Sequence, residues 1–172
     1  MKKYLILVLI VLLMGALFIG VPAAKEGNVP QKPAGNSNIA HMYLYEKENF
    51  VEGGWDIVNG GAWGKMKYNL SGATFDFVFN GHGLEPGINY TLIYYPDPWP
   101  GSGLICLGSG TVNEEGDIHI AESAVDTGDL TDAKIWLVLT DDIDCGVSFK
   151  NVWNPTEYLF EYDLITFDDT GV

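Results

Sequence analysis

From residue 40 onward, apolar and polar side chains alternate with a period of two, and Gly, Asn, Asp and Pro fall between the alternating runs. That pattern predicts half-buried β-strands, whereas the spacing of an amphipathic helix is nearly absent. Residues 41–45 place Met42 and Leu44 on one face, and residues 62–70 set Met66, Tyr68 and Leu70 against Lys65, Lys67 and Asn69. Residues 73–80 carry Phe75, Phe77 and Phe79 opposite Thr74, Asp76 and Asn80. Three aromatics at this spacing belong in a core, because an exposed ladder of that size drives aggregation. Further runs cover 55–58, 88–95, 104–112, 117–121, 133–140 and 157–167. In 133–140, Ile135, Leu137 and Leu139 alternate with Trp136 and Val138.

The connections carry their own chemistry. In Gly83-Leu84-Glu85-Pro86-Gly87, Pro sets φ at the second turn position and Gly accepts the positive φ of a type II turn at the third. This turn is expected to join 73–80 and 88–95 as a β-hairpin. Asn113-Glu114-Glu115-Gly116 is expected to close a second hairpin between 104–112 and 117–121. Eight or nine short strands at this spacing predict an all-β fold, an antiparallel β-sandwich of Greek-key type.

Upstream the pattern changes. Met1-Lys2-Lys3, an apolar stretch over 4–21, Pro22-Ala23-Ala24 and a polar flank have the parts of a secretory signal peptide. Residues 1–24 are therefore read as a signal helix cleaved after Ala23 or Ala24. Because roughly 20 apolar residues also span a bilayer, an uncleaved membrane anchor is the alternative. Residues 25–39, rich in Pro, Gly, Asn, Lys and Ala, read as a flexible tether, and 40–172 as one β-domain. On either reading the folded part lies outside the cytoplasm, secreted or at the cell surface.

Nine Lys, no Arg and 23 acidic residues give a net charge of −14. Such a surface argues against nucleic acid, whose phosphates require Lys and Arg, and against anionic lipid, leaving membrane contact to the N-terminal segment if it is retained. It favours solubility, cations or basic partners. Cys106 and Cys145 are the only cysteines, and an even count in an exported chain predicts one disulfide.

Candidate chemistry is sparse. The loop Tyr94-Tyr95-Pro96-Asp97-Pro98-Trp99-Pro100-Gly101 is stiffened by three prolines, so Tyr95 and Trp99 are candidate contacts for a glycan or an envelope protein. Asp126, Asp129 and Asp132 form the preferred candidate calcium loop, since hard cations take closely spaced carboxylates and loop carbonyls. Two other acidic clusters, 141–144 and 168–169, are weaker candidates. His41, His82 and His119 lack metal-ligand spacing. The Gly-x-Ser-x-Gly motif is absent and nothing selects a catalytic carboxylate pair, so no catalytic residues are assigned. Asn69-Leu70-Ser71 and Asn89-Tyr90-Thr91 are glycosylation sequons.

Residues 83–101, together with Leu104-Ile105-Cys106-Leu107-Gly108, Ala133-Lys134-Ile135-Trp136-Leu137-Val138-Leu139 and Trp153-Asn154-Pro155-Thr156-Glu157-Tyr158, resemble secreted β-domain proteins of unassigned function from methanogenic archaea. The resemblance covers most of the domain. It implies export and a cell-envelope setting, and it brings no reaction or cofactor. The expectation is a non-enzymatic, envelope-associated binding or adhesion module, with a calcium- or glycan-binding domain as the alternative and a secreted hydrolase third.

Overall fold

The computed structural model describes residues 37–48, 55–150 and 152–170. The signal or anchor segment and most of the tether lie outside the described residues. Among those residues the chain is mostly β, with two short 3-10 turns, Thr140–Asp142 and Pro155–Glu157. No helix among the described residues is long and apolar enough to cross a membrane.

The strands are β1 (Ile39–Tyr45), β2 (Trp63–Asn69), β3 (Ser71–Gly72), β4 (Phe75–His82), β5 (Asn89–Tyr95) and β6 (Ile105–Thr111). They continue as β7 (Ile118–Val125), β8 (Leu130–Leu139), β9 (Ile143–Asp144), β10 (Ser148–Phe149), β11 (Leu159–Glu161) and β12 (Ile165–Asp169). A large mixed sheet runs β7-β4-β2-β1-β11-β8, and β8 also pairs with β5 and β12. β5 carries β6 on its far side, and β12 carries β3 in a parallel pairing. β1 starts at Ile39, which faces Asn69, so pairing begins one residue inside the expected tether.

Two expected hairpins do not form. β4 lies between β2 and β7, whereas β5 lies between β6 and β8, so residues 83–87 cross from one part of the sheet to another. Likewise β6 pairs with β5 and β7 with β4, although the turn at 113–116 does form, with Asn113 N–H donating to Asp117 O at 2.8 Å. The Glu85-Pro86-Gly87 turn forms as read, with Gly87 at φ 81°. What redirects the chain is Leu84, buried in the core, whose N–H donates to Gly116 O at 3.0 Å and so locks the two connections together. Alternation states which face of a strand is buried and is silent on which strand lies beside it.

β6 and β7 meet through side chains. A Cβ on Gly108 would lie 2.9 Å from Ile120 Cγ2, and glycine is what permits this approach. The run 157–167 breaks into β11 and β12, and 55–58 shrinks to one bridge between Lys47 and Ile57.

Two apolar clusters share the central strands. Phe75, Phe77 and Phe79 are buried in the larger with Met42, Leu92 and Leu137, as their spacing predicts. Ile93, Leu104, Trp136, Val138, Ile143, Tyr158 and Phe160 form the smaller. The second half of β8 is thus buried on both faces, Ile135 and Leu137 serving one cluster and Trp136 and Val138 the other, which explains the unbroken apolar run over 135–139. Each such side chain contributes about 1.5–3 kcal/mol by leaving water.

Candidate functional site

β5 and β6 form a hairpin, and its tip is the proline-rich segment 96–104. The Asp97–Pro98 peptide is cis. Asp97 is held by Lys134, which faces Tyr95 across the β5–β8 ladder, with Nζ 2.7 Å from Oδ2. Both side chains are partly exposed, so the pair orients the loop more than it stabilises it.

The loop presents aromatic rings to the smaller cluster. Tyr95 stacks on Trp136 with centroids 3.9 Å apart and planes 16° apart, and Trp99 stacks on Tyr95 at 4.9 Å and 12°. Phe149 of β10 meets Tyr95 and Trp99 edge-on, each at 6.5 Å, and Trp153 meets Phe149 edge-on at 5.6 Å. Tyr95, Trp99, Phe149, Val152 and Trp153 line a cavity of about 340 Å³. Val152 and Trp153 are exposed, so it opens to solvent.

Two devices hold the wall opposite the loop. The disulfide joins Cys106 on β6 to Cys145 in the β9–β10 turn, with Cα atoms 5.5 Å apart, and Gly146 N–H donates to Leu104 O at 3.2 Å. The second is a buried network: the Asp142 carboxylate accepts from the Tyr158 hydroxyl at 2.5 Å and from Asn154 Nδ2 at 2.9 Å. It fastens the segment bearing Trp153 to the end of β8. Beneath the stack, Trp136 Nε1 and Glu161 Oε2 are buried without a hydrogen bond of ordinary geometry. Burial raises the Glu161 carboxyl above its usual range, while its own backbone N–H, then nearby Lys47 and the Trp136 indole N–H, pull it back.

Burial, followed by the bond to Asp142, pushes the Tyr158 phenol well above its ordinary value of 10.0. Tyr90, at the start of β5, is pushed up to about 12, chiefly by burial. A raised folded value means stability is intact below pH 10 and falls as pH climbs through the folded value, because the unfolded chain releases protons first. Tyr90 alone makes this loss on the order of 2 kcal/mol by pH 12. In an alkaline titration followed at 295 nm, Tyr90 and Tyr158 are expected to ionise last, together with loss of the far-ultraviolet β signal. Ionisation of all tyrosines near pH 10 with the fold intact would refute this.

The other candidates from the sequence are dispersed. Asp126, Asp129 and Asp132 are all exposed, and Asp129 Oδ1 accepts from Asp169 N–H at 2.7 Å, tying the loop to β12. Asp132 sits within β8 at φ 48°. Among the described residues no three His, Cys, Asp or Glu side chains converge as one metal ion requires. His82 Nδ1 lies 2.8 Å from Asp117 Oδ1, His119 Nδ1 lies 2.8 Å from Asn80 Oδ1, and His41 is exposed on β1. The Asn69 amide is engaged with Thr74 O at 2.8 Å and with Asp76 N–H at 2.8 Å, whereas Asn89 is exposed and its Oδ1 accepts from Thr111. Asn89 is therefore the more accessible sequon, the reverse of what its strand position suggests.

Sequence reading found Tyr95 and Trp99 and missed Phe149, Val152 and Trp153. Trp153 precedes Asn154-Pro155, so it shares the aromatic-plus-proline signature of the Trp99 loop; Phe149 carries no comparable mark. The chain matches no model of a known protein family, no curated protein and no solved structure.

Proposed function

We propose that this chain is a non-enzymatic, extracytoplasmic binding module of the cell envelope, and that the aromatic cavity receives a glycan ring. The observation that carries this reading is the open cavity built from Tyr95, Trp99, Phe149, Val152 and Trp153 over a three-ring stack. Near-parallel aromatic faces suit the C–H face of a sugar, and the Asp97–Lys134 pair anchors the loop that carries Trp99. At about 340 Å³ the space is at the lower end for ligand pockets and fits one ring better than a long groove of subsites.

Two further observations support a Greek-key sandwich as its frame: β8 and β5 have apolar clusters on both faces, and β6 approaches β7 through side chains. The disulfide and the export-type N-terminal sequence support an extracellular setting.

A glycan array followed by titration calorimetry tests the function. Wild type is expected to bind a restricted set of glycans, and Trp99→Ala to weaken binding about tenfold or more, since a central Trp carries a large share of contact energy. Equal binding by wild type and Trp99→Ala, or no glycan retained, would discard the sugar reading.

A further inference from the structure

The cavity at the β5–β6 tip has room for one sugar ring, so further rings of the same glycan meet the protein outside it. Trp153 stands where they would leave. It lines the cavity, is 46% exposed and packs on Phe160 of β11, with ring centroids 6.3 Å apart. A second indole rests on the same phenylalanine: Trp55 meets Phe160 edge-on at 4.9 Å and is also 46% exposed. Trp55 reaches this place because Glu48 N–H donates to Asp56 O at 2.8 Å and Lys47 bridges to Ile57, which lays residues 55–57 beside the chain that follows β1. Lys47 Nζ lies 6.0 Å from the centre of the Trp55 ring and donates to Glu161 O at 2.8 Å, so a cation held by β11 steadies the indole.

These contacts make the aromatic surface continuous. Trp136, beneath the stack in the cavity, meets Phe160 edge-on at 5.2 Å, so the rings under the cavity and the exposed indoles share one base. Two indoles left nearly half exposed on one phenylalanine forgo burial, and adjoining exposed apolar surface of this kind marks a contact site. Tryptophan is also enriched among the residues that dominate binding energy.

We infer, on the glycan reading of the cavity, that its ligand is a linear, uncharged chain of equatorially linked pyranoses, with one ring in the cavity and a later ring on Trp55. Two separate aromatic places on one base require a chain of several rings. Equatorial linkage keeps that chain extended and leaves axial C–H bonds on the ring faces, which is the surface aromatic side chains pack against. The net charge of −14 repels acidic polysaccharides and so selects a neutral chain.

Calorimetry with two-unit and six-unit probes reads the second place directly: cellobiose against cellohexaose, and diacetylchitobiose against hexaacetylchitohexaose. In at least one pair the hexaose should bind wild type about tenfold or more tighter than the disaccharide. In Trp55→Ala that gain should shrink to about threefold, the statistical advantage of six rings over two, while disaccharide affinity stays at the wild-type value and shows the variant to be folded. Trp55→Phe keeps a ring on Phe160 and should retain most of the gain. A galacturonate hexamer should bind about tenfold or more weaker than the preferred neutral hexaose. Binding of neither hexaose, a wild-type gain no larger than the statistical one, an undiminished gain in Trp55→Ala, or equally tight binding of the galacturonate hexamer would each overturn the assignment. The cavity is tested separately by Trp99→Ala, which should weaken both probe lengths. If the neutral hexaoses fail while another glycan binds in a Trp99-dependent way, the cavity reading stands and the extended chain does not.

Discussion

Replacing both cysteines, Cys106→Ser with Cys145→Ser, is expected to cost about 4 kcal/mol of folding stability, because the bond closes a loop with a sequence separation of 39 in the unfolded chain. Urea unfolding of the variant, and of wild type kept reduced, should show the same fall in midpoint. The bond also ties the β9–β10 turn, and with it Phe149, to β6, so glycan affinity should fall in parallel. A loss below about 1 kcal/mol would mean that backbone bonds such as Gly146 N–H to Leu104 O hold this wall unaided.

The other large effect is expected from Trp136→Ala. Trp136 is 5% exposed, is stacked under Tyr95 and touches Phe160 and Trp153. Truncation removes a large buried surface and leaves a void, at a cost of about 3–5 kcal/mol. Near-ultraviolet circular dichroism should lose the signal of the stacked rings, and glycan binding should disappear with the platform. Trp136→Phe keeps a ring in the site and should recover most of the stability. If the alanine variant unfolds at the wild-type urea concentration, the smaller cluster is not a cohesive core.

The strand alternation was readable because it reflects a local property, the side of the pleat on which each residue stands. Phe75, Phe77 and Phe79 are inside for that reason, and Trp136 and Val138 stand opposite Ile135 and Leu137 as their order requires. Strand neighbours were misread at 83–87 and 113–116. Both turns have sound local chemistry, yet Leu84 buries between them and sends each chain to a different partner. Two of the five residues of the candidate site were equally visible: Tyr95 and Trp99 stand out as aromatics within a proline-stiffened loop. Phe149 did not stand out, since a lone Phe after a Cys-Gly turn is indistinguishable from a core residue until β10 is placed beside the loop. The acidic loop at 126–132 was legible as closely spaced carboxylates, and only the fold shows Asp129 accepting from Asp169 N–H.

By itself, then, the sequence determined the β class, the buried face of the strands at 41–45, 62–70 and 73–80, the Glu85-Pro86-Gly87 turn, the acidic charge and the cysteine pair. All of these follow from composition, period or local conformational preference. The tertiary structure alone decided which strands are neighbours and how five residues from the end of β5, the β5–β6 tip, β10 and residues 152–153 line one open cavity. These are contacts between residues distant in the chain, where alternation is compatible with many pairings and packing selects one.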